Sequence, residues 1–286
     1  MPAMIIDFHT HSHASDGALS PRQLVQAAIA ARVSEFAITD HDTVAGYREA
    51  LALSPDFPAD FRLISGTELS CVWAKTTIHV VGLDMDIEHP VLREGLVQLA
   101  HARDERAGII AHKLEKAGMP GALDGAREHA GARQLGRPDF ARWMVEQGHV
   151  SDANQAFDKY LGSGKMGDVK ACWPELATVT GWIVAAGGSA ILAHPMKYRY
   201  TRMKLRRLIR DFVDAGGSGI EIFSGRQQPE HIQILCKLAD EFALVASAGS
   251  DFHREYEYGP RLGVDTARLP TEARLWRPGS VVKGEV

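Results

Sequence analysis

Cysteine is scarce in this sequence, and the few that occur are far apart. The 286 residues contain only Cys71, Cys172 and Cys236, and no two of them form a CxxC pair. This spacing argues against a disulfide framework and a zinc ribbon. We therefore expect free, mostly buried thiols in a reducing compartment.

Long apolar runs and a strong charge of either sign are missing as well. The apolar run 189–193 has the length of a strand, whereas a membrane span needs about 20 apolar residues. The first residues lack the charged segment and apolar stretch of a signal peptide, so we expect a cytoplasmic protein with no membrane partner. The formal net charge of −4 argues against a general nucleic-acid coat, and we expect no specific DNA binding.

Short β-type runs alternate with helical stretches, a pattern typical of parallel sheets and βα barrels. Strands are predicted at residues 4–8, 35–40, 61–66, 77–83, 189–193, 218–223 and 243–248. A helix is predicted near residues 21–33, with Ser20 as N-cap, Pro21 at the first helical position and Gln23 completing a capping box. Residues 90–170 have helical spacing instead. We expect a barrel of residues 1–89 and 171–286 with a small helical insertion of residues 90–170.

Histidines and carboxylates lie in or just after most of the predicted strands. Nine positions stand out: His9, His11, Asp16, His41, Glu68, His79, His194, Asp251 and His253. Because carboxyl ends of strands converge on one face of a barrel, we expect these side chains to meet. Imidazole and carboxylate without thiolate suit Zn²⁺, Mn²⁺ or Fe²⁺. Nine ligands exceed the needs of one ion, so two or three divalent ions are expected, an arrangement that suits phosphoryl displacement.

Each of these residues taken alone has an ordinary explanation. On its own, His79 is more typical of a hydrogen-bonded core histidine, and Glu68 could equally be a cap or an ion-pair partner. Asp40 and Asp42 look like turn or cap residues, and Asp7 looks like a partner of a ligand. The recurrence from strand to strand favours the metal site over these separate explanations.

Five motifs follow one another along the chain: DFHTHSHASDG, ITDHDT, GTELS, LAHP and GSDFH. As an ordered set over residues 7–253, they resemble the PHP (polymerase and histidinol phosphatase) family in its TrpH-like branch. The resemblance implies a distorted (β/α)7 barrel of the PHP type, amidohydrolase-like, with a trinuclear metal centre.

The resemblance also implies which residues hold which ion. His9, His11 and Asp251 hold one ion, Asp16, His41 and His253 a second, and His79 and His194 a third, with Glu68 bridging the first and third. We expect manganese, with zinc or iron as alternatives. Direct catalytic roles are expected for Asp16, His41, His194 and His253.

Within the branch, the motifs look most like those of 3′,5′-nucleoside bisphosphate phosphatases. Related members are 5′-to-3′ exonucleases on short 5′-phosphorylated RNA. The resemblance therefore implies a metal-dependent phosphoesterase whose partner is a small nucleotide, or a short RNA in the same site. Both reactions break the ester at the 3′-oxygen of a nucleotide whose 5′-phosphate is held elsewhere.

Guanidinium groups suit the 5′-phosphate, because their paired donors match phosphate geometry. Arg103 and Arg106 are three residues apart, on one face of a predicted helix, and Arg137 precedes a proline. Composition alone favours the simpler explanation that Arg103 and Arg106 pair with acidic neighbours on a solvated face. The resemblance instead places all three arginines in the substrate cleft. Asp139 stands where the branch usually has histidine, and a proton-transfer role for it would need a raised pKa.

Two other interpretations stay open. Histidinol phosphate is an alternative substrate, although its cationic amine fits an arginine pair poorly. A metal-stabilised scaffold without activity is the alternative outside enzymes, although such modules tend to lose ligands and this chain keeps all nine.

Overall fold

The computed structural model describes residues 4–170 and 172–279. The expected domain limits at residues 1, 171 and 286 lie outside the described residues. The strands are β1 (Ile5–Asp7), β2 (Glu35–Ala37), β3 (Arg62–Ile64), β4 (Gly66–Trp73), β5 (Thr76–Leu83), β6 (Ser189–Leu192), β7 (Gly219–Ser224), β8 (Val245–Gly249) and β9 (Val264–Asp265). Each predicted strand has its counterpart among them, whereas β4 and β9 were not predicted.

The α-helices lie between the strands, and short 3₁₀ and π segments complete the regular structure of the described chain. The α-helices are α1 (Pro21–Ala30), α2 (Ala45–Leu51), α3 (Pro90–Lys116), α4 (Ala122–Ala130), α5 (Arg137–Glu146), α6 (Ala153–Ala156), α7 (Leu176–Ala185), α8 (Arg202–Asp214) and α9 (Pro229–Glu241). The predicted start of α1 is confirmed, because Ser20 and Gln23 form a capping box and Pro21 is its first residue. Within residues 4–170 and 172–279, no helix is long and apolar enough to cross a membrane.

The chain divides into two compact units. The first comprises Met1–Trp73, Thr77–Leu96 and Pro174–Val286, and the second comprises Ala74–Thr76 and Val97–Trp173. In the second unit, one buried apolar cluster joins Leu114 of α3 to Phe140 and Met144 of α5. The predicted free cysteines are confirmed, and two of the three are buried.

The strands of the first unit form two sheets that are joined by main-chain hydrogen bonds beyond the ends of β1 and β2. One sheet has the order β3-β2-β1-β9 and the other the order β4-β5-β6-β7-β8. After β1, the N–H of Phe8 donates to the carbonyl of Ala248 at 3.1 Å. After β2, the carbonyl of Asp40 accepts the N–H of Glu68 at 3.2 Å. The predicted α/β class is confirmed. The ladders among the described residues form no closed barrel, so the (β/α)7 barrel stays a prediction.

The parallel strand arrangement that the alternating pattern favours does not hold at β5. This strand runs antiparallel to β6, with Val80 opposite Leu192. Only Ala74 and Lys75 separate β4 from β5, and so short a connection reverses the chain, since parallel neighbours need a crossover of roughly a dozen residues. The reversal explains why His79 lies in the first half of its strand rather than after its end.

Candidate metal centre

The nine metal-type side chains predicted from the sequence lie in four overlapping groups in the first unit. In each group, one ligand atom per residue lies within 4.8 Å of the others. The groups are His11–Asp16–His41–His253, His9–His11–Asp251, His9–Glu68–His194 and His41–Glu68–His79. Since neighbouring groups share residues, the nine side chains form one continuous site, which we call the nine-residue cluster.

One grouping differs from the arrangement that the family resemblance implies. His79 and His194 were expected to share an ion. In the structure they occur in separate groups, each together with Glu68. The assignment of individual ions to individual ligands therefore stays a prediction.

Isolated backbone bridges between the two sheets bring the ligands together. Thr10 pairs with Phe252, so His9 and His11, which flank Thr10, lie beside the residues that flank Phe252. The N–H of His11 donates to the carbonyl of Phe252 at 2.9 Å, and the N–H of Asp251 donates to the carbonyl of His9 at 2.8 Å. Ligands that are far apart in sequence are thus placed by main-chain hydrogen bonds.

The carboxylate of Glu68 lies at the centre of the cluster and is fully buried. Five imidazole nitrogens approach its two oxygens: His9 Nε2 and His11 Nε2 at 3.3 Å, His41 Nδ1 at 3.0 Å, and His79 Nδ1 and His194 Nε2 at 2.9 Å. Sequence reasoning placed Glu68 after a strand, whereas it lies inside β4. An isolated bridge between His41 and Glu68 aligns the two residues.

Asp16 brings a second carboxylate to the cluster from a tight turn after β1. Its Oδ1 lies 3.3 Å from Nε2 of His253. The turn is organised by Asp40, which accepts hydrogen bonds from the N–H of Ser12 at 2.7 Å and from the hydroxyl of Ser15 at 2.7 Å. Asp40 thus has the structural part that the sequence indicated for it.

Glu221 was missed by the sequence reasoning. It lies 2% exposed in β7, where Oε1 is 3.0 Å from Nδ1 of His9 and Oε2 accepts the backbone N–H of His194 at 2.6 Å. A proton on Nδ1 of His9 satisfies the first contact and leaves the Nε2 lone pair for an ion. The second contact holds His194 at φ 29°, a left-handed conformation that is unfavourable for a non-glycine residue. The available signal was a single glutamate in the apolar run GIEIF.

Burial and neighbouring carboxylates act in opposite directions on the protonation of the imidazoles. Burial lowers the pKa of His11, but hydrogen bonds with Asp251 and Glu68 outweigh it and raise the pKa to about 10. At His41 burial outweighs the attraction of Glu68 and Asp16, and lowers the pKa to about 4. Burial alone would raise the pKa of Glu68, yet the surrounding imidazoles, His41 first among them, lower it well below its usual range. Protons therefore occupy some of the same nitrogen atoms that could bind metal cations.

The cluster fits divalent metal ions on two grounds. Buried polar atoms without a well-directed hydrogen bond cost about 1–3 kcal/mol each, and several lie in this site. Within the described residues, the atoms of the site that make no such bond, even where an imidazole or carboxylate lies close by, are His11 Nδ1, Asp16 Oδ1, His41 Nδ1, Glu68 Oε2, His79 Nδ1 and His194 Nδ1. The donor set of nitrogen and oxygen without sulfur suits Zn²⁺, Mn²⁺ and Fe²⁺.

The four substrate-binding candidates belong to the second unit. Arg103 and Arg106 are 9% and 8% exposed, and their guanidinium groups lie 5.5 and 5.2 Å from the ring centroid of Trp173. A Cβ on Gly136 would lie 4.0 Å from an Nη of Arg103, so the two arginine-bearing segments approach each other inside this unit. Arg137 follows Gly136 and donates to the carbonyl of Leu161 at 3.0 Å.

The surroundings of Asp139 are those of a capping residue. The side chain is fully buried at the start of α5, where it accepts the N–H of Gly136 at 2.8 Å and pairs with Arg133. Arg142 also approaches it, at 3.2 Å. These three cationic or N–H donors already occupy the carboxylate oxygens within the second unit. We therefore do not carry a proton-transfer role for Asp139 into the proposed function.

Comparisons with known proteins agree with this chemistry. The chain belongs to the PHP domain family, whose model matches residues 7–272. It is 44% identical over 247 residues to the "5'-3' exoribonuclease" of Haemophilus influenzae, covering 86% of this chain and 89% of that protein. It is 41% identical over 274 residues to the "3',5'-nucleoside bisphosphate phosphatase" of Chromobacterium violaceum, covering 95% of each.

A solved structure matches the fold over nearly the whole chain. It is an amidohydrolase from Chromobacterium violaceum with bound sulfate and no metal, which superposes with a TM-score of 0.84 at 38% identity. The match covers 96% of this chain and 98% of that one. With the family and the cluster together, the chain is a metal-dependent hydrolase of phosphate esters.

The contacts of Glu221 generate a testable prediction. In Glu221→Gln one acceptor oxygen must serve two donors, so either His9 takes the wrong tautomer or the N–H of His194 faces an amide NH₂. We expect the affinity for Mn²⁺, measured by calorimetric titration of the metal-free protein, to fall about 10–100-fold. The matched control is Glu241→Gln, an exposed glutamate on α9 that pairs with Arg206. Equal affinities of wild type and Glu221→Gln would show that Glu221 does not orient the ligands.

Proposed function

We propose that this chain hydrolyses the 3′-phosphate of 3′,5′-nucleoside bisphosphates, such as adenosine 3′,5′-bisphosphate, with two or three divalent ions and manganese as the preferred metal. The observation that carries the proposal is the nine-residue cluster around Glu68. Paired, buried arginines in the same chain support a substrate with a second phosphate. The relative of that name in Chromobacterium violaceum, at 41% identity, supports the same substrate class.

Ions held in the cluster would supply Lewis-acid polarisation of a phosphoryl oxygen and an activated nucleophile at neutral pH. The cluster contains three carboxylates, those of Asp16, Glu68 and Asp251. Two divalent ions already exceed the charge of these three groups, and the excess attracts an anionic phosphate. The site therefore favours phosphate esters over neutral esters or amides.

Four side chains of the nine-residue cluster have specific roles in this proposal. Nδ1 of His253 lies 3.0 Å from the carbonyl of Asp251, so a proton on Nδ1 leaves Nε2 free to face Asp16. His41, with its lowered pKa of about 4, is neutral at physiological pH and presents a free lone pair. His194 is held by the carboxylate of Glu221. We assign Asp16, His41, His194 and His253 to the groups that contact the reacting phosphate or its ions.

The arginines are proposed to bind the phosphate that is not attacked. Two guanidinium groups, three residues apart on one helix, repel each other, and a bound phosphate dianion relieves that repulsion with paired hydrogen bonds. Trp173 holds both side chains against its ring. Histidinol phosphate offers these arginines a cationic amine instead, which disfavours it as the substrate.

A second candidate activity is 5′-to-3′ cleavage of short 5′-phosphorylated RNA in the same site. The relative named for this activity in Haemophilus influenzae is 44% identical to this chain. In both reactions water adds across the bond between phosphorus and the 3′-oxygen. The phosphorus gains the hydroxyl and the 3′-oxygen gains the proton.

The proposed reaction depends on the turn that carries Asp16. In Asp16→Ala, a carboxylate of the cluster is lost, and we expect phosphate release from adenosine 3′,5′-bisphosphate with added Mn²⁺ to fall at least about 100-fold. Asp214→Ala, which removes an exposed carboxylate at the end of α8, is the matched control. The same panel contains histidinol phosphate and a 5′-phosphorylated RNA trimer. An undiminished rate in Asp16→Ala would contradict the mechanism, and faster turnover of histidinol phosphate would contradict the substrate.

The phosphate-binding part of the arginines is tested by a two-way comparison. The enzyme is wild type or Arg103→Ala, and the substrate is adenosine 3′,5′-bisphosphate or adenosine 3′-monophosphate. Because a hydrogen bond to a charged group contributes about 1.5–3 kcal/mol, we expect the variant to lose about 10–100-fold in kcat/KM with the bisphosphate and little with the monophosphate. Arg127→Ala, on the exposed face of α4, serves as control. Equal losses with both substrates would assign Arg103 a structural part only.

A further inference from the structure

A groove of about 500 Å³ opens beside the nine-residue cluster in the first unit. We call it the β7–β8 groove, and its defining residues are Lys197, Ser224, Arg226, His231, Asp251 and His253. Ser224 is the last residue of β7, and Asp251 follows shortly after β8. Its volume lies in the range of ligand-binding pockets, about 300–1,000 Å³.

The side chains that line the groove favour an anionic ligand. Lys197, Arg226 and His231 line it, whereas the carboxylate among its defining residues is that of Asp251, which already pairs with Lys197. Arg226 donates to the carbonyl of Tyr258 at 2.7 Å, so part of its guanidinium group is anchored to the main chain. An anchored guanidinium group loses less entropy on binding a phosphate than a freely rotating one.

Ser224 supplies an independent sign of a ligand. Its side chain is 5% exposed, and its Oγ has no hydrogen-bond partner among the described residues. A buried hydroxyl without a partner is unfavourable. An oxygen of a ligand in the groove would satisfy it.

We propose that the β7–β8 groove binds the nucleotide on the 3′ side of the cleaved ester when the substrate is RNA. The inference rests on the proposed function, because the cleaved phosphate is taken to lie at the nine-residue cluster. Asp251 and His253 belong both to the cluster and to the groove, so a chain that continues beyond the cluster can enter the groove directly. A bisphosphate has nothing beyond its 3′-phosphate and leaves the groove empty.

Cleavage of an RNA in this position balances as a hydrolysis. Water adds across the bond between phosphorus and the 3′-oxygen of the first nucleotide. The products are a nucleoside 5′-monophosphate with a free 3′-hydroxyl and an RNA one nucleotide shorter with a 5′-phosphate. The shortened RNA carries the same 5′ end as the original substrate and can bind again.

The test compares two substrates that share their first nucleotide: adenosine 3′,5′-bisphosphate and the 5′-phosphorylated adenylate trinucleotide. Wild type, Arg226→Ala and Ser224→Ala are assayed with both, with Mn²⁺ added. We expect the ratio of kcat/KM for the trinucleotide to that for the bisphosphate to fall about tenfold in Arg226→Ala, and less in Ser224→Ala. Arg206→Ala, an exposed arginine that pairs with Glu241, is the matched control.

The outcomes separate this inference from the proposed function. A ratio that falls in Arg226→Ala and not in Arg206→Ala supports the groove as the site for the 3′-side nucleotide. An unchanged ratio overturns it, including the case in which both substrates lose activity equally, since the groove would then hold the shared nucleotide. Wild type that hydrolyses the bisphosphate but not the trinucleotide overturns this inference alone. Wild type that hydrolyses neither overturns the proposed function as well.

Discussion

The site depends on one fully buried carboxylate, that of Glu68, surrounded by imidazoles. Five histidine nitrogens lie within 3.3 Å of its oxygens. An isolated carboxylate in such a position would be strongly unfavourable, because burial favours its neutral form. Positive charge from protons or bound cations offsets this cost. The observed crowding of lone-pair donors around a buried anion therefore follows from a requirement for cations.

The backbone around the site is organised by the same requirement. The two sheets of the first unit approach each other through isolated bridges, and these bridges carry ligands or lie directly between them. His194 and Asp251 have φ values of 29° and 53°. Non-glycine residues in this region are unfavourable unless surrounding contacts hold them. Glu221 provides such a contact for His194, so a residue outside the nine-residue cluster stabilises the geometry of a residue within it.

Much of the site could be predicted from the sequence, because ligand chemistry is local in the chain. His9 and His11 follow a short apolar strand, and the capping residues of α1 mark the start of the next element. Both features are short-range patterns that can be recognised in the sequence. The positions of Glu68 and His79 were harder to predict, because the two-residue connection between β4 and β5 reverses the chain and no helix separates the two strands. Long-range hydrogen bonds are even harder to predict from the sequence. The contact between Glu221 and His9 joins residues 212 positions apart, and only the oddity of a charge inside an apolar strand indicated it.

We expect the nine-residue cluster to exchange protons for divalent ions. Calorimetric titration of the metal-free protein with Mn²⁺ at pH 7, in two buffers of different ionisation enthalpy, measures both events at once. Carboxylates raise the pKa of His9 and His11 against the effect of burial, that of His11 to about 10, so these imidazoles carry protons at pH 7 that an ion must displace. We expect two or three ions per chain, a binding heat that depends on the buffer, and weaker binding as the pH falls. Absence of Mn²⁺ binding, or a heat that is identical in both buffers, would contradict it.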